Sequence, residues 1–372
     1  MKIGLVRRGY SASGGAEAYL LRLAAELAAK GHEPVLFSDT LWPDAARARC
    51  TPPLTLCYLE KQTTASNWPL RITPAGFAGW LRVELKNRAL DFVLSLERVW
   101  ECDVYRAGDG VHAAWLERRR QFEPAWRAWF RGFQRKHREI LKLERALFTG
   151  GARHVIANSQ MVKDEIIRHF GTAAERVHVI HNGVPVCAVA PGARENARRE
   201  LGLAPAEFVA LFAGTGWKRK GLRHAIEAVN ALKNPATLLV AGRGGKSGLP
   251  SSGRVKFLGP LAEERMRAVF AAADVFLLPT FYDPFSNACI EALAAGLPVI
   301  TTTANGFAEI IEHGVEGDAV APGDTRALAG ALAAWADPVR REHIRARLVE
   351  KAAKYSVGQN VARTLEVITA LS

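Results

Sequence analysis

The stretch from Val275 to Thr302, VFLLPTFYDPFSNACIEALAAGLPVITT, admits few folds. The apolar run Val275 to Leu278, stopped by Pro279, reads as a buried parallel strand that presents Asp283 beyond its carboxyl end. From Ser286 the pattern turns helical, with Ile290, Leu293 and Ala294 on one face and Gly296 and Pro298 ending it. That register predicts Glu291 about two turns beyond Asp283. A second buried strand follows over 298–302. Strand, acidic loop, helix and strand in this order make one step of a doubly wound parallel sheet. Two carboxylates separated by seven residues stand beside a helix N-terminus whose free N–H groups suit an anion. Taken singly, Asp283 also reads as a loop cap and Glu291 as a solvated helix residue.

The same alternation recurs. Residues 3–6 (IGLV) predict a strand, 7–15 a polar loop ending in Gly14 and Gly15, 16–30 a helix carried by Leu20, Leu21, Leu23, Ala24 and Leu27, and 33–37 a strand. Gly14 and Gly15 let backbone approach a ligand at the helix start, although any tight turn uses glycine too. Further strands are expected over 90–96, 154–157 and 177–180, with Ser159 as the N-cap of a helix reaching Phe170. A Pro-, Gly- and Ala-rich stretch near 185–195 marks a domain boundary, predicting domains of 1–188 and 189–356. The second begins with a strand over 208–213, the loop Gly214-Thr215-Gly216-Trp217-Lys218-Arg219-Lys220-Gly221 and a helix over 222–232. Three cations in a glycine-bounded loop repel one another unless an anion lies between them, and a diphosphate fits that need. Strands over 238–240 and 255–259 follow, with an amphipathic helix over 357–371.

Two further features bear on function. Asp109 sits between glycines, with His112 close by; good turn chemistry and a functional acid both account for it. Between Trp115 and Phe148, arginines including Arg118, Arg119, Arg120, Arg131 and Arg135 alternate with aromatics including Trp126. That mixture suits an anionic membrane interface or single-stranded nucleic acid, and also a solvated helix with inward-facing rings. The net charge of +13 implies an anionic partner without choosing among a nucleotide, a phosphorylated acceptor, a membrane or nucleic acid. The N-terminal apolar stretch stops at Arg7, which predicts neither a signal peptide nor a membrane span. Five scattered cysteines, an odd number, predict reduced thiols in a cytoplasm.

In family order, the paired glycines, DVYRAGDGVH, HVIANSQMVKDEIIRHFG, VHVIHNGV, the lysine-rich loop and DPFSNACIEALAAGLPVI resemble the retaining glycosyltransferases of family 4, and within them the lipopolysaccharide core glucosyltransferases. The resemblance implies the α/β architecture called GT-B, two Rossmann-like domains facing each other across a cleft, with the 357–372 helix crossing back to the first. It implies a UDP-sugar donor, no other cofactor and no metal. Asp283 would contact the donor sugar, with Asp109 as the second catalytic acid. Glu291 would hold the ribose; Gly14, Gly15, Arg219, Lys220, Phe257, Ser286, Asn287 and Ala288 would complete the donor site. His112, Arg118, Arg119, Arg120, Trp126, Arg131 and Arg135 would meet a glycolipid acceptor or the membrane. The chain departs from the pattern in Asp283 for glutamate, Ser286-Asn287 for Gly-Leu, Thr215 where an arginine is usual and Pro185 for aspartate. The resemblance implies transfer of a hexose to a lipopolysaccharide core or similar cell-envelope glycan, at the cytoplasmic membrane face, with no nucleic-acid partner; a basic nucleic-acid-binding protein, resting on the charge and the Trp/Arg segment, is a less favoured reading. Another glycan acceptor is the alternative. An NAD-type site is disfavoured because Gly214-x-Gly216-x-x-Arg219 lacks a third glycine and the next strand ends at Arg243 rather than an acid, which leaves NADP formally open.

Overall fold

The computed structural model describes residues 1–11, 15–59, 72–120, 135–185 and 192–370. It divides into two units, one of residues 1–181 with 357–372 and one of 182–356.

The first unit is built on a seven-stranded sheet: β1 (Lys2–Val6), β2 (Glu33–Ser38), β3 (Thr55–Tyr58), β4 (Phe92–Ser95), β5 (Cys102–Ala107), β6 (Ala152–Ala157) and β7 (Val177–Val179). The spatial order is 3-2-1-4-5-6-7 and every pairing is parallel. Parallel strands need crossovers, and the helices that supply them cover both faces, so strand side chains are buried on either side. Ile3 and Leu5 face Leu20, Leu23 and Leu27 of the Gly15–Ala29 helix together with Val361 and Ile368 of the Val357–Thr369 helix. Val6, Val35 and Phe37 face the opposite way, onto Phe77, Leu81, Phe148 and Ile166. Each such leucine, isoleucine or phenylalanine contributes about 1.5–3 kcal/mol by leaving water.

The second unit repeats the plan with six parallel strands: β8 (Phe208–Ala213), β9 (Ala236–Ala241), β10 (Val255–Gly259), β11 (Val275–Leu277), β12 (Val299–Thr302) and β13 (Gly317–Val320), in the order 10-9-8-11-12-13. Buried Asp274, just before β11, ties its lower edge together: it takes Arg194 at 2.6 Å, Arg198 at 2.7 Å, Arg341 at 3.2 Å and the Val209 N–H at 2.8 Å. In both sheets the strand order reverses beside the first strand, between β1 and β4 and between β8 and β11. A crevice at the carboxyl ends of the strands opens at such a reversal and is where doubly wound sheets bind ligands. Among the described residues no helix is long and apolar enough to cross a membrane.

DVYRA is a strand, β5, although Asp103 and Arg106 interrupt its apolar pattern; buried Arg106 lies 4.3 Å from the Tyr19 ring centroid, so a cation–π contact takes the place of apolar packing. Residues 217–220 form a helical turn rather than open loop. The helix after Asp283 runs over Asn287–Ala294 with Ser286 at its N-cap position, close to the start that the pattern predicts.

Candidate functional site

At the reversal in the second sheet, three strand-end loops touch through their backbones. Gly221 has φ +78°, and a Cβ there would lie 1.9 Å from the Pro279 carbonyl oxygen; Gly242 has φ +111°, and its Cβ would lie 2.1 Å from the Gly214 carbonyl oxygen. Only glycine fits either conformation and either gap. The Gly216 N–H donates to the Arg243 carbonyl at 3.0 Å and Trp217 Nε1 to the Gly214 carbonyl at 3.2 Å, so the basic turn is held from both sides.

That turn aims its cations at one acid. Lys220 Nζ makes an ion pair with Asp283 Oδ2, and Arg219 Nη1 lies 3.9 Å from the same oxygen while donating to the Tyr282 carbonyl at 2.6 Å. Asp283 is buried, and its own N–H and carbonyl are engaged by Ala304 at 3.0 Å and Gly306 at 2.9 Å. Buried Asn305 braces the next step: its Oδ1 accepts from the Ser286 N–H at 3.3 Å and the Phe307 N–H at 3.1 Å, and its Nδ2 donates to Thr301 Oγ1 at 2.9 Å. Asn182 Nδ2 donates to Asn287 Oδ1 at 2.7 Å at the first turn of the Asn287–Ala294 helix. Ala288 and Glu291 are half-buried on that helix. Cys289 faces inward, and burial pushes its thiol up to about 12, so it acts as a packing residue. The Phe257 ring, 39% exposed, lies 5.5 Å from Trp217 with Lys246 Nζ 4.5 Å from its centroid. An accessible ring backed by tryptophan can stack a planar base.

The first sheet has its own polar cluster at the reversal. Arg7, after β1, forks between Glu17 at 3.1 Å and Glu97 at 2.7 Å; Arg8 pairs with Asp39 at 2.9 Å. Arg98 reaches Glu144 at 3.1 Å, Asp109 at 3.9 Å and the Gly110 carbonyl at 2.9 Å. Glu144, fully buried, also accepts the N–H groups of His112 at 2.7 Å and Ala113 at 3.0 Å, capping the His112–Arg120 helix from a distant segment. Asp109 is exposed in the turn after β5. Gly15 opens the first helix, and Gly14 lies outside the described residues.

Burial pushes the Glu97 carboxyl up to about 7; Arg7 pulls it back and Asp109 pushes it further up. The folded chain therefore keeps this proton to about pH 7, whereas the ordinary value is 4.5. Since the folded state then binds more protons, the contribution of Glu97 to stability falls as pH rises between those two values. Glu97→Gln, which carries no such proton, is expected to flatten the decline in a series of denaturant midpoints. An unchanged slope would contradict the assignment.

The arginine-rich segment is only partly described. Trp126 and Arg131 lie outside the described residues. Arg118 turns onto buried Glu165 at 2.8 Å, Arg119 lies 5.7 Å from the Trp115 ring centroid, and Arg135 pairs with Glu139 at 2.8 Å on its own helix. Exposed Arg120 ends the His112–Arg120 helix. His112 stacks on His137, with Nε2 and Nδ1 2.9 Å apart; burial first, then Arg98 and His137, pull its imidazole down to about 4, so it is neutral near pH 7.

Residues 13–188 match the family model described as Glycosyltransferase Family 4, and residues 207–337 match the one described as Glycosyl transferases group 1. D-inositol 3-phosphate glycosyltransferase 1 of Catenulispora acidiphila is 31% identical over 237 residues, 58% of this chain and 57% of the relative. The chain spans about half the length of the curated relatives it matches. WaaG, a glycosyltransferase involved in lipopolysaccharide biosynthesis, superposes with a TM-score of 0.80 at 22% identity, covering 99% of each chain. Anabaena HepE, solved in complex with UDP and glucose, gives a TM-score of 0.76 at 20% identity over all of both chains. At these identities the likeness is one of fold, two Rossmann-like α/β units of the GT-B type.

Proposed function

We propose, from the match of residues 13–188 to the Glycosyltransferase Family 4 model and of residues 207–337 to the Glycosyl transferases group 1 model, that the chain transfers a hexose, glucose in the first instance, from UDP to a hydroxyl of a cell-envelope glycan. The observation that carries this reading is the convergence of Lys220 and Arg219 on Asp283 at the reversal of the second sheet. There the two cations meet a diphosphate, Asp283 accepts hydrogen bonds from sugar hydroxyls, and Glu291 accepts them from the ribose. Phe257, backed by Trp217, takes the base. The choice of UDP and glucose draws on HepE, which was solved with both.

In the transfer, the bond between the sugar's anomeric carbon and the β-phosphate oxygen breaks and its electron pair leaves on the phosphate. Lys220 and Arg219 stabilise that charge from fixed positions and need no metal to do so. The acceptor oxygen bonds to the anomeric carbon on the face the phosphate left, its proton passes to the departing phosphate, and configuration is retained. Asp109, exposed in the first unit, serves the acceptor side.

The name of the Catenulispora relative gives a phosphorylated inositol, and that of WaaG gives lipopolysaccharide biosynthesis. The arginine- and tryptophan-rich segment favours the second, a lipid-borne acceptor met at an anionic membrane face, where each cation contributes on the order of 1 kcal/mol. Failure of the protein to sediment with anionic vesicles at low salt would remove that part of the proposal. For the donor site, Glu291→Gln is expected to weaken UDP-glucose about tenfold, the cost of one hydrogen bond to a charged acceptor, with the unfolding midpoint kept. Unchanged affinity by calorimetry would sink the ribose assignment.

A further inference from the structure

Lys220 of the basic turn and Asp283 close on each other. Lys220 and Asp283 are paired with side-chain exposures of only 12% and 8%, so water replaces neither partner freely. The lysine stem runs beside Gly214, 3.5 Å from where a Cβ there would stand, and the Asp283 backbone is fixed by Ala304 and Gly306. A diphosphate arriving at Lys220 therefore competes with a carboxylate already in place and sets negative charge beside it. We propose that Asp283 discriminates against sugar-free nucleoside diphosphate: it pairs with Lys220, and only a sugar's hydroxyl donors replace the partner it loses when a diphosphate takes the ammonium.

This rests on the donor site proposed above and adds a role to Asp283. Beyond contacting the sugar, it weakens the product that remains after transfer and so speeds its departure. Sugar hydroxyls donate hydrogen bonds to the carboxylate, which compensates in the loaded state; after transfer the diphosphate faces the carboxylate with no donor between them. An amide at this position accepts hydrogen bonds but carries no charge, and so neither competes for Lys220 nor repels phosphate.

The test is calorimetric titration of UDP, UDP-glucose and inorganic pyrophosphate into wild type, Asp283→Asn, Lys220→Met and the double variant. Asp283→Asn is expected to tighten UDP and pyrophosphate about tenfold while weakening UDP-glucose, because one charged competitor is removed and one charged acceptor lost. Lys220→Met should weaken all three, and in its background the Asp283→Asn gain for UDP should vanish. A general loss of structure moves every ligand the same way and cannot produce opposite signs. If wild type binds UDP-glucose but Asp283→Asn weakens UDP as well, the discrimination is overturned and the donor site stands. If wild type binds none of the three, both fall together.

Discussion

Gly221→Ala is expected to cost the second unit several kcal/mol and with it most of the affinity for a diphosphate. The added methyl would stand 1.9 Å from the Pro279 carbonyl oxygen and 2.8 Å from its carbon, in a residue held at φ +78°. Backbone on both sides fixes the gap: the Phe281 N–H and the Thr280 hydroxyl both donate to the Arg219 carbonyl, at 2.9 and 3.1 Å. Relief requires the basic turn to leave the end of β11, which separates Lys220 from Asp283. Gly216→Ala is the control. Its φ is +75°, yet nothing lies within 4 Å of the added methyl, so only the left-handed strain of about 1 kcal/mol is expected. Equal losses for the two variants in urea unfolding would show that the close approach to Pro279 is not what demands the glycine.

Glu144→Ala is expected to lower the stability of the first unit by about 3–5 kcal/mol, the range for stripping one partner from a buried ion pair. It would leave the Arg98 guanidinium without its nearest anion and expose the N–H groups of His112 and Ala113 at the start of a helix. Asp109, 3.9 Å from Arg98 and largely exposed, is too far and too wet to compensate. Glu101→Ala, which breaks an ion pair with Arg82 that is about half exposed on both sides, should cost at most about 1 kcal/mol. A loss for Glu144→Ala no larger than this would mean that Arg98 finds another anion.

These two residues mark what a linear reading reveals and what it hides. The basic turn and Asp283 are legible because each lies in a short segment whose periodicity changes from strand to helix, and glycines punctuate the change. The leucines at 20, 23 and 27 are legible for the same reason, since helical spacing displays their shared face. Glu144 is not, because its partners Arg98, His112 and Ala113 lie 46, 32 and 31 residues away, and within its own helix it looks like one acid offsetting a run of arginines. Glu97 is hidden likewise: Arg7 is 90 residues distant, and burial, the largest influence on its carboxyl, leaves no trace in the neighbouring letters. β3 and β13 have only four residues each, too few for alternation to declare itself. Asn305 shows in the sequence only as one residue of a turn, yet it binds the Ser286 and Phe307 N–H groups that shape the end of the acidic loop.

The central claim, that the chain moves a hexose from a nucleoside diphosphate with its configuration kept, is tested most directly by following the anomeric carbon. UDP-glucose labelled with ¹³C at C1 would be incubated with deacylated lipopolysaccharide core oligosaccharide and EDTA and watched by NMR. UDP and a new α-linked C1 resonance are expected to grow in equal amounts, and both to be lost in Asp283→Ala. An unconsumed donor, together with an unfolding midpoint that UDP-glucose, UDP-galactose, UDP-N-acetylglucosamine and GDP-mannose all fail to raise, would contradict it.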